Sequence, residues 1–183
     1  IRPTSSSEAF RELTRSPNFL AADVLLISTR LFPRPEQYTV ASDSGQARAL
    51  PGFLEALEAF DKTIIVTSSA PVFRPYNGER NALDGLLREN PGLSRDEINR
   101  AYYGLLDRNL LRLNKEVAAL AKARGISYLD KLDFICDRDE QTCTAITPEG
   151  RKTYYDGDHF SLAGARYFGR VIAERGWLAA RTG

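Results

Sequence analysis

Three short, branched apolar runs punctuate this chain, DVLLIST at 23–29, TIIVTS at 63–68 and GISYLD at 125–130, and the stretches between them repeat their apolar residues at helical spacing. A continuously apolar run that ends in polar residues suits a strand covered on both faces, as in a parallel sheet. Residues 51–60 set Phe53, Leu54, Leu57 and Phe60 along one helical side, with Pro51 suited to a first turn. Residues 94–124 predict one long helix, with Ser94 as N-cap, Glu97 three positions on and Gly125 as the stop. Its stripe of Leu105, Leu106, Leu110, Leu113, Val117 and Leu120 reads as core. A last helix begins after Ser161 and presents Leu162, Ala165, Phe168, Ile172 and Ala173. Such alternation predicts an α/β three-layer sandwich, a parallel sheet flanked by helices and joined by right-handed crossovers.

At 183 residues and 43% hydrophobic content the chain has the length of one domain, spanning 1–183, and enough apolar material for a real core. Lys plus Arg number 25 against 24 Asp plus Glu, with no long block of either sign, so the electrostatic footprint of a nucleic-acid or acidic-lipid binder is missing. No apolar run approaches the roughly 20 residues of a membrane span, and Ile1 to Ser7 do not resemble a signal peptide. A start at Ile1 without an initiator Met is expected of a piece of something larger. Ser5 to Ser7 read as a frayed terminus.

In open α/β sheets chemistry gathers at the carboxyl ends of the strands. Three segments follow those ends here, 30–46, 69–81 and 131–158, and the first two are longer than simple linkage needs. The third leads into TYYDGDHFSLAGARYFGR at 153–170, which contains His159, the only histidine of the chain. A carboxylate three residues earlier can fold back onto one imidazole nitrogen, leaving the other to take a proton from a hydroxyl. Asp156 fits that orienting role, Gly157 permits the turn and Ser161 caps the helix. Asp158 is the competing partner, but adjacency makes it awkward to bend back onto the ring. Spacing alone leaves a surface histidine in an Asp-rich turn as the other reading.

Cys136 and Cys143 fall in the polar segment ICDRDEQTC. Two cysteines and one histidine are too few for a structural zinc site, and no metal or other cofactor is expected. They read as a local disulfide clasping a loop, in an oxidising compartment, with two free thiols as the alternative.

The block YYDGDHFSLAGARYFG resembles the closing block of SGNH hydrolases, specifically the SGNH domains fused to membrane acyltransferases of the acyltransferase-3 type. ADVLLISTRLF is similar to that group's strand ending in an Arg and an aromatic residue, KTIIVTSSAPVF to its next strand, and YLDKLDFIC with a second Cys nearby to a later segment. The likeness runs from Asp23 to the end of the chain. It implies an SGNH/flavodoxin-like fold and a Ser-His-Asp mechanism in which His159 activates a serine and Asp156 orients His159. It further implies a periplasmic domain that takes an acyl donor delivered by a transmembrane acyltransferase domain and passes the acyl group to a glycan acceptor. Deacylation of glycans and a degenerate glycan-binding module are the alternatives.

The family's nucleophile block, Gly-Asp-Ser after a first strand, is not found in the 22 residues before Asp23, so the first strand or strands and the serine are expected to lie outside this chain. Ser28, Ser68 and Ser69 stand at strand ends; Ser42 and Ser44 read as turn chemistry. Arg30 can reach an oxyanion or substrate, or is a solvated strand-end arginine. Arg74 and Asn77 are candidates for glycan contact or plain loop surface, and Tyr38, Tyr76, Tyr102 and Tyr103 for stacking on sugars.

Overall fold

A computed structural model of the chain describes residues 5–28, 45–79 and 81–179. In order they form α1 (Ser5–Arg15), α2 (Pro17–Ala21), β1 (Val24–Ile27), α3 (Gly45–Glu58), β2 (Thr63–Thr67), α4 (Ala82–Glu89), α5 (Arg95–Gly104) and α6 (Arg108–Ala123). There follow β3 (Ser127–Leu129), α7 (Leu132–Ile135), β4 (Cys136–Asp137), β5 (Thr142–Cys143) and α8 (Leu162–Glu174). The three apolar runs become β1, β2 and β3, a parallel sheet in that order, with Leu25 beside Ile64 and Ile65 beside Ser127. It is a mixed α/β fold, a small parallel sheet flanked by helices. Central β2 is buried from Ile64 to Thr67, which is why its run is apolar throughout.

Leu25, Ile27, Ile64, Val66 and Tyr128 share one sheet face and pack against Phe19, Leu50, Leu54, Leu57 and Val117. On β1 the alternate residues, Val24 and Leu26, stay exposed. A second apolar cluster is built from Phe73, α4, α5, α7, Tyr154 and Phe168 of α8. Cys136 and Cys143 pair directly across the β4–β5 hairpin and are joined by a disulfide, as expected.

The single helix expected over 94–124 is instead two. Ser94 and Glu97 do form a capping box at the start of α5, but the chain breaks at Leu105 to Asp107. The Asp107 carboxylate accepts from the N–H groups of Asn109 and Leu110 and caps a new helix there. The backbone at the break bonds sideways: Arg74 N–H donates to Leu105 O at 2.8 Å and Asp107 N–H to Val72 O at 2.9 Å. The apolar stripe runs through the break although its halves part company, Leu105 and Leu106 packing into the second cluster and Leu113, Val117 and Leu120 into the first, and that continuity in sequence hid it. Gly125, with φ 67°, ends α6 as expected.

Two smaller expectations also give way. α3 begins at Gly45, so Pro51 lies inside the helix, and buried Leu50 extends the stripe by a turn. The serines at 5–7 begin α1 rather than fray, because Phe10 anchors that helix edge-on against Phe53 at 5.8 Å.

Just beyond β2 a buried side chain grips the backbone. Asn114, 3% exposed, accepts from Ser69 N–H and donates to Ser69 O, both at 3.1 Å. Its amide does for Ser69 what a neighbouring strand would do.

Candidate active site

The segment around His159 is a tight antiparallel turn. Tyr154 and Phe160 bridge across it, and Tyr155 N–H donates to His159 O at 2.9 Å. Alternation along these two short arms sends Tyr154 and Phe160 inward, where their rings meet edge-on at 4.9 Å, and turns Tyr155 and His159 outward. Asp156 shapes the turn by accepting from the N–H groups of Asp158 (3.0 Å) and His159 (2.7 Å) with Oδ1. Its Oδ2 lies 2.8 Å from His159 Nδ1.

The turn is pinned from several sides. Ser161 caps α8 through Gly164 N–H, and its hydroxyl also donates to Lys152 O. Thr153 hydrogen-bonds back to Ala145 through both N–H and hydroxyl. The first turn of α8 crosses Thr153 so closely that a Cβ on Gly164 would lie 1.9 Å from Thr153 O. Across from it, Phe73 N–H donates to Gly157 O at 2.8 Å, and the Asn81 amide donates to Tyr155 O at 2.5 Å. Asn81 also caps α4 through Asp84 N–H. The segment that leaves the carboxyl end of β2 thus braces the histidine turn, which brings that turn to the same end of the sheet. An open cleft lined by Phe60, Lys62, Thr63, Gly125 and Ser127 lies at the opposite, amino end of β2 and β3, away from this chemistry.

Asp158 departs from the sequence expectation. Its Oδ1 lies 3.0 Å from His159 Nδ1, so the adjacent carboxylate does reach the ring, and both acids meet the same nitrogen. Backbone curvature at the Asp156 turn brings residue 158 round beside the imidazole. Carboxylates only accept, so Nδ1 carries the ring hydrogen and Nε2 is the basic nitrogen of the neutral ring. Positive charge gained at Nε2 would face two anions across the ring. The same three side chains hold ligand atoms within 4.8 Å of one another, a grouping that could hold a metal ion. In the structure their oxygens sit at hydrogen-bond distance from Nδ1.

Burial pushes the Asp156 carboxyl up, but hydrogen bonds from Asp158 N–H, the His159 ring and His159 N–H outweigh it and hold it below the ordinary carboxylate range. A depressed folded-state value contributes stability at neutral pH that is lost as pH falls through that value. A carbon-detected NMR titration should give Asp156 a midpoint below that of an unperturbed aspartate. An ordinary or raised midpoint would show that the turn's hydrogen bonds do not hold the carboxylate.

The other expected residues are placed differently. Arg74 donates to Gly104 O at the end of α5 at 3.2 Å. Asn77, at φ 47°, donates to Glu89 in the last turn of α4 at 2.5 Å. Tyr102 cannot stack on a ligand, because it is fully buried and stacked on Phe73 at 3.7 Å. Ser68 and Ser69 are buried, Ser68 accepting from Lys131 N–H, while exposed Ser28 accepts from the Lys131 ammonium at 3.0 Å. Arg30, Arg34, Tyr38, Ser42 and Ser44 lie outside the described residues. Sequence reasoning missed the Phe73 and Asn81 clamps, which join residues about 80 positions apart and leave no local signal.

A small parallel sheet with an acid–histidine turn ahead of its last helix is the arrangement of an SGNH-type fold. The chain belongs to the family of SGNH domains fused to AT3 (acyltransferase-3) domains, whose model matches residues 3–174. Among solved structures it is similar to the periplasmic domain of a lipopolysaccharide acetyltransferase from Salmonella ser. Paratyphi A, at 15% identity and TM-score 0.61, covering 84% of this chain and 56% of that one. A GDSL-like lipase from Bacteroides thetaiotaomicron matches at 17% identity and TM-score 0.48, over 94% of this chain and 70% of the lipase. The chain thus spans little more than half of the acetyltransferase domain it resembles. Among curated proteins none matches. No described helix is long and apolar enough to cross a membrane.

Proposed function

We propose that this domain carries the base and orienting acid of a Ser-His-Asp acyl transfer, moving an acetyl group to a glycan hydroxyl on the periplasmic face of the inner membrane. The observation that carries the reading is the 2.8 Å contact between Asp156 and His159 Nδ1 in a turn braced by the β2 loop. His159, with its side chain 60% exposed, stands open to a large acceptor. Membership of a family fused to acyltransferase-3 domains supports a donor delivered by that membrane partner.

In this reading the nucleophile is a serine outside these 183 residues, as the resemblance implies; of the described strand-end serines, Ser68 and Ser69 are sealed in the core and Ser28 accepts from the Lys131 ammonium. Its Oγ attacks the acyl carbonyl while His159 Nε2 takes its proton. The leaving group departs with that proton, and an acyl-serine remains. A glycan hydroxyl then attacks the ester and gives its proton to Nε2, which returns it to the serine. Asp156, with Asp158 beside it, holds the ring and meets the imidazolium charge in both halves.

The test is to incubate the intact protein with p-nitrophenyl acetate and map acetylated peptides by mass spectrometry. One acetyl-serine, absent from the His159→Ala variant, is the expected result. Turnover without any acyl-serine peptide, on rapid acid quench, would overturn the mechanism.

A further inference from the structure

Resting on the glycan-transfer reading above, we propose that Tyr155 is the platform on which the acceptor's sugar ring stacks. The residue is 66% exposed, whereas the adjacent Tyr154 is fully buried. The arms of the turn put Tyr155 on the same outward side as His159, with ring centroids 6.4 Å apart and planes tilted by 47°. Its backbone is fixed at both ends, by the N–H bond to His159 O and by the Asn81 amide on its own carbonyl. An aromatic ring on a fixed backbone beside a base, yet left in water, contributes little to the core and is available to a ligand.

The chemistry favours a pyranose. The face of such a ring is a patch of C–H groups bounded by hydroxyls, which suits an aromatic face whose rim is polar. A sugar lying on Tyr155 can extend a rim hydroxyl towards His159, where its proton must go during transfer. An acetyl group offers one methyl and gains little from such a surface. Tyr155 is therefore a binding residue for the acceptor, and it biases the acyl group towards a ring hydroxyl over water or an open-chain alcohol.

The intact protein with p-nitrophenyl acetate as donor tests this, using methyl α-glucopyranoside and glycerol as competing acceptors and mass spectrometry of the acetylated products. Tyr155→Ala is expected to raise KM for the pyranoside about tenfold and that for glycerol less than about twofold; Tyr155→Phe should stay within about twofold for both. The side chain is mostly exposed, so the variants should fold, which thermal unfolding checks. An unchanged pyranoside KM in Tyr155→Ala, with His159→Ala inactive, overturns the platform and leaves the mechanism standing. An equal rise for both acceptors, or a rise only in donor KM that grows from acetate to butyrate, also overturns it. Hydrolysis by the wild type without transfer to either acceptor overturns the transfer reading and the platform together.

Discussion

His159→Ala in the intact protein is expected to lower kcat/KM for acyl transfer by at least about three orders of magnitude, about 4 kcal/mol of lost transition-state stabilisation. The size follows from the role. Without Nε2 the nucleophilic serine must lose its proton to water, and the imidazolium that Asp156 and Asp158 flank never forms. The loss should fall on kcat more than on KM, because neutral imidazole adds little to ground-state binding. The ring is largely exposed, so thermal unfolding should shift by only a few degrees. Transfer within tenfold of wild type by a folded variant would remove His159 from the mechanism. Asp156→Asn is a weaker cut by comparison, since Asp158 remains 3.0 Å from Nδ1.

The second large effect lies in the fold and has a built-in control. Gly164→Ala would put a methyl 1.9 Å from Thr153 O, against backbone that is itself bonded to Ala145. Neither side can yield cheaply, so α8 has to shift, at a cost of about 3 kcal/mol or more. The same substitution one and a half turns later, Gly169→Ala, meets nothing within 4 Å and should stabilise α8 by about 0.5–1 kcal/mol. Urea midpoints of the two variants should therefore move in opposite directions from wild type. A neutral Gly164→Ala would show that α8 does not lie against Thr153 as described. Transfer activity should fall with stability in the Gly164 variant, because Ser161 caps the helix and Thr153 supports the histidine turn.

The strands were legible because each is short, branched and buried or half-buried, and the carboxyl-edge rule then located the candidate site. The contact between Asp156 and His159 was legible too, since a carboxylate three residues back in a turn can fold onto the ring. What stayed hidden depends on partners distant in sequence. The break between α5 and α6 is written in Gly104 and Asp107, but it becomes necessary only because residues 72–74 take the backbone bonds there. Adjacency in sequence argues against Asp158, but the Asp156 turn bends the chain and brings its carboxylate to the ring. Tyr155 carries the same letter as Tyr154, and only the pairing of the two arms tells the wet ring from the buried one.

The amide of Asn114 has a consequence for how this sequence can drift. It serves a donor and an acceptor of Ser69 at once, in a site sealed from water. Leucine, close in shape, would remove both bonds; aspartate would set a negative oxygen against the Ser69 carbonyl; glutamine would carry the amide one methylene too far. Position 114 thus favours asparagine over each of its near relatives in shape, although it touches no proposed substrate. Invariance there among relatives would record the upkeep of a backbone joint rather than catalysis.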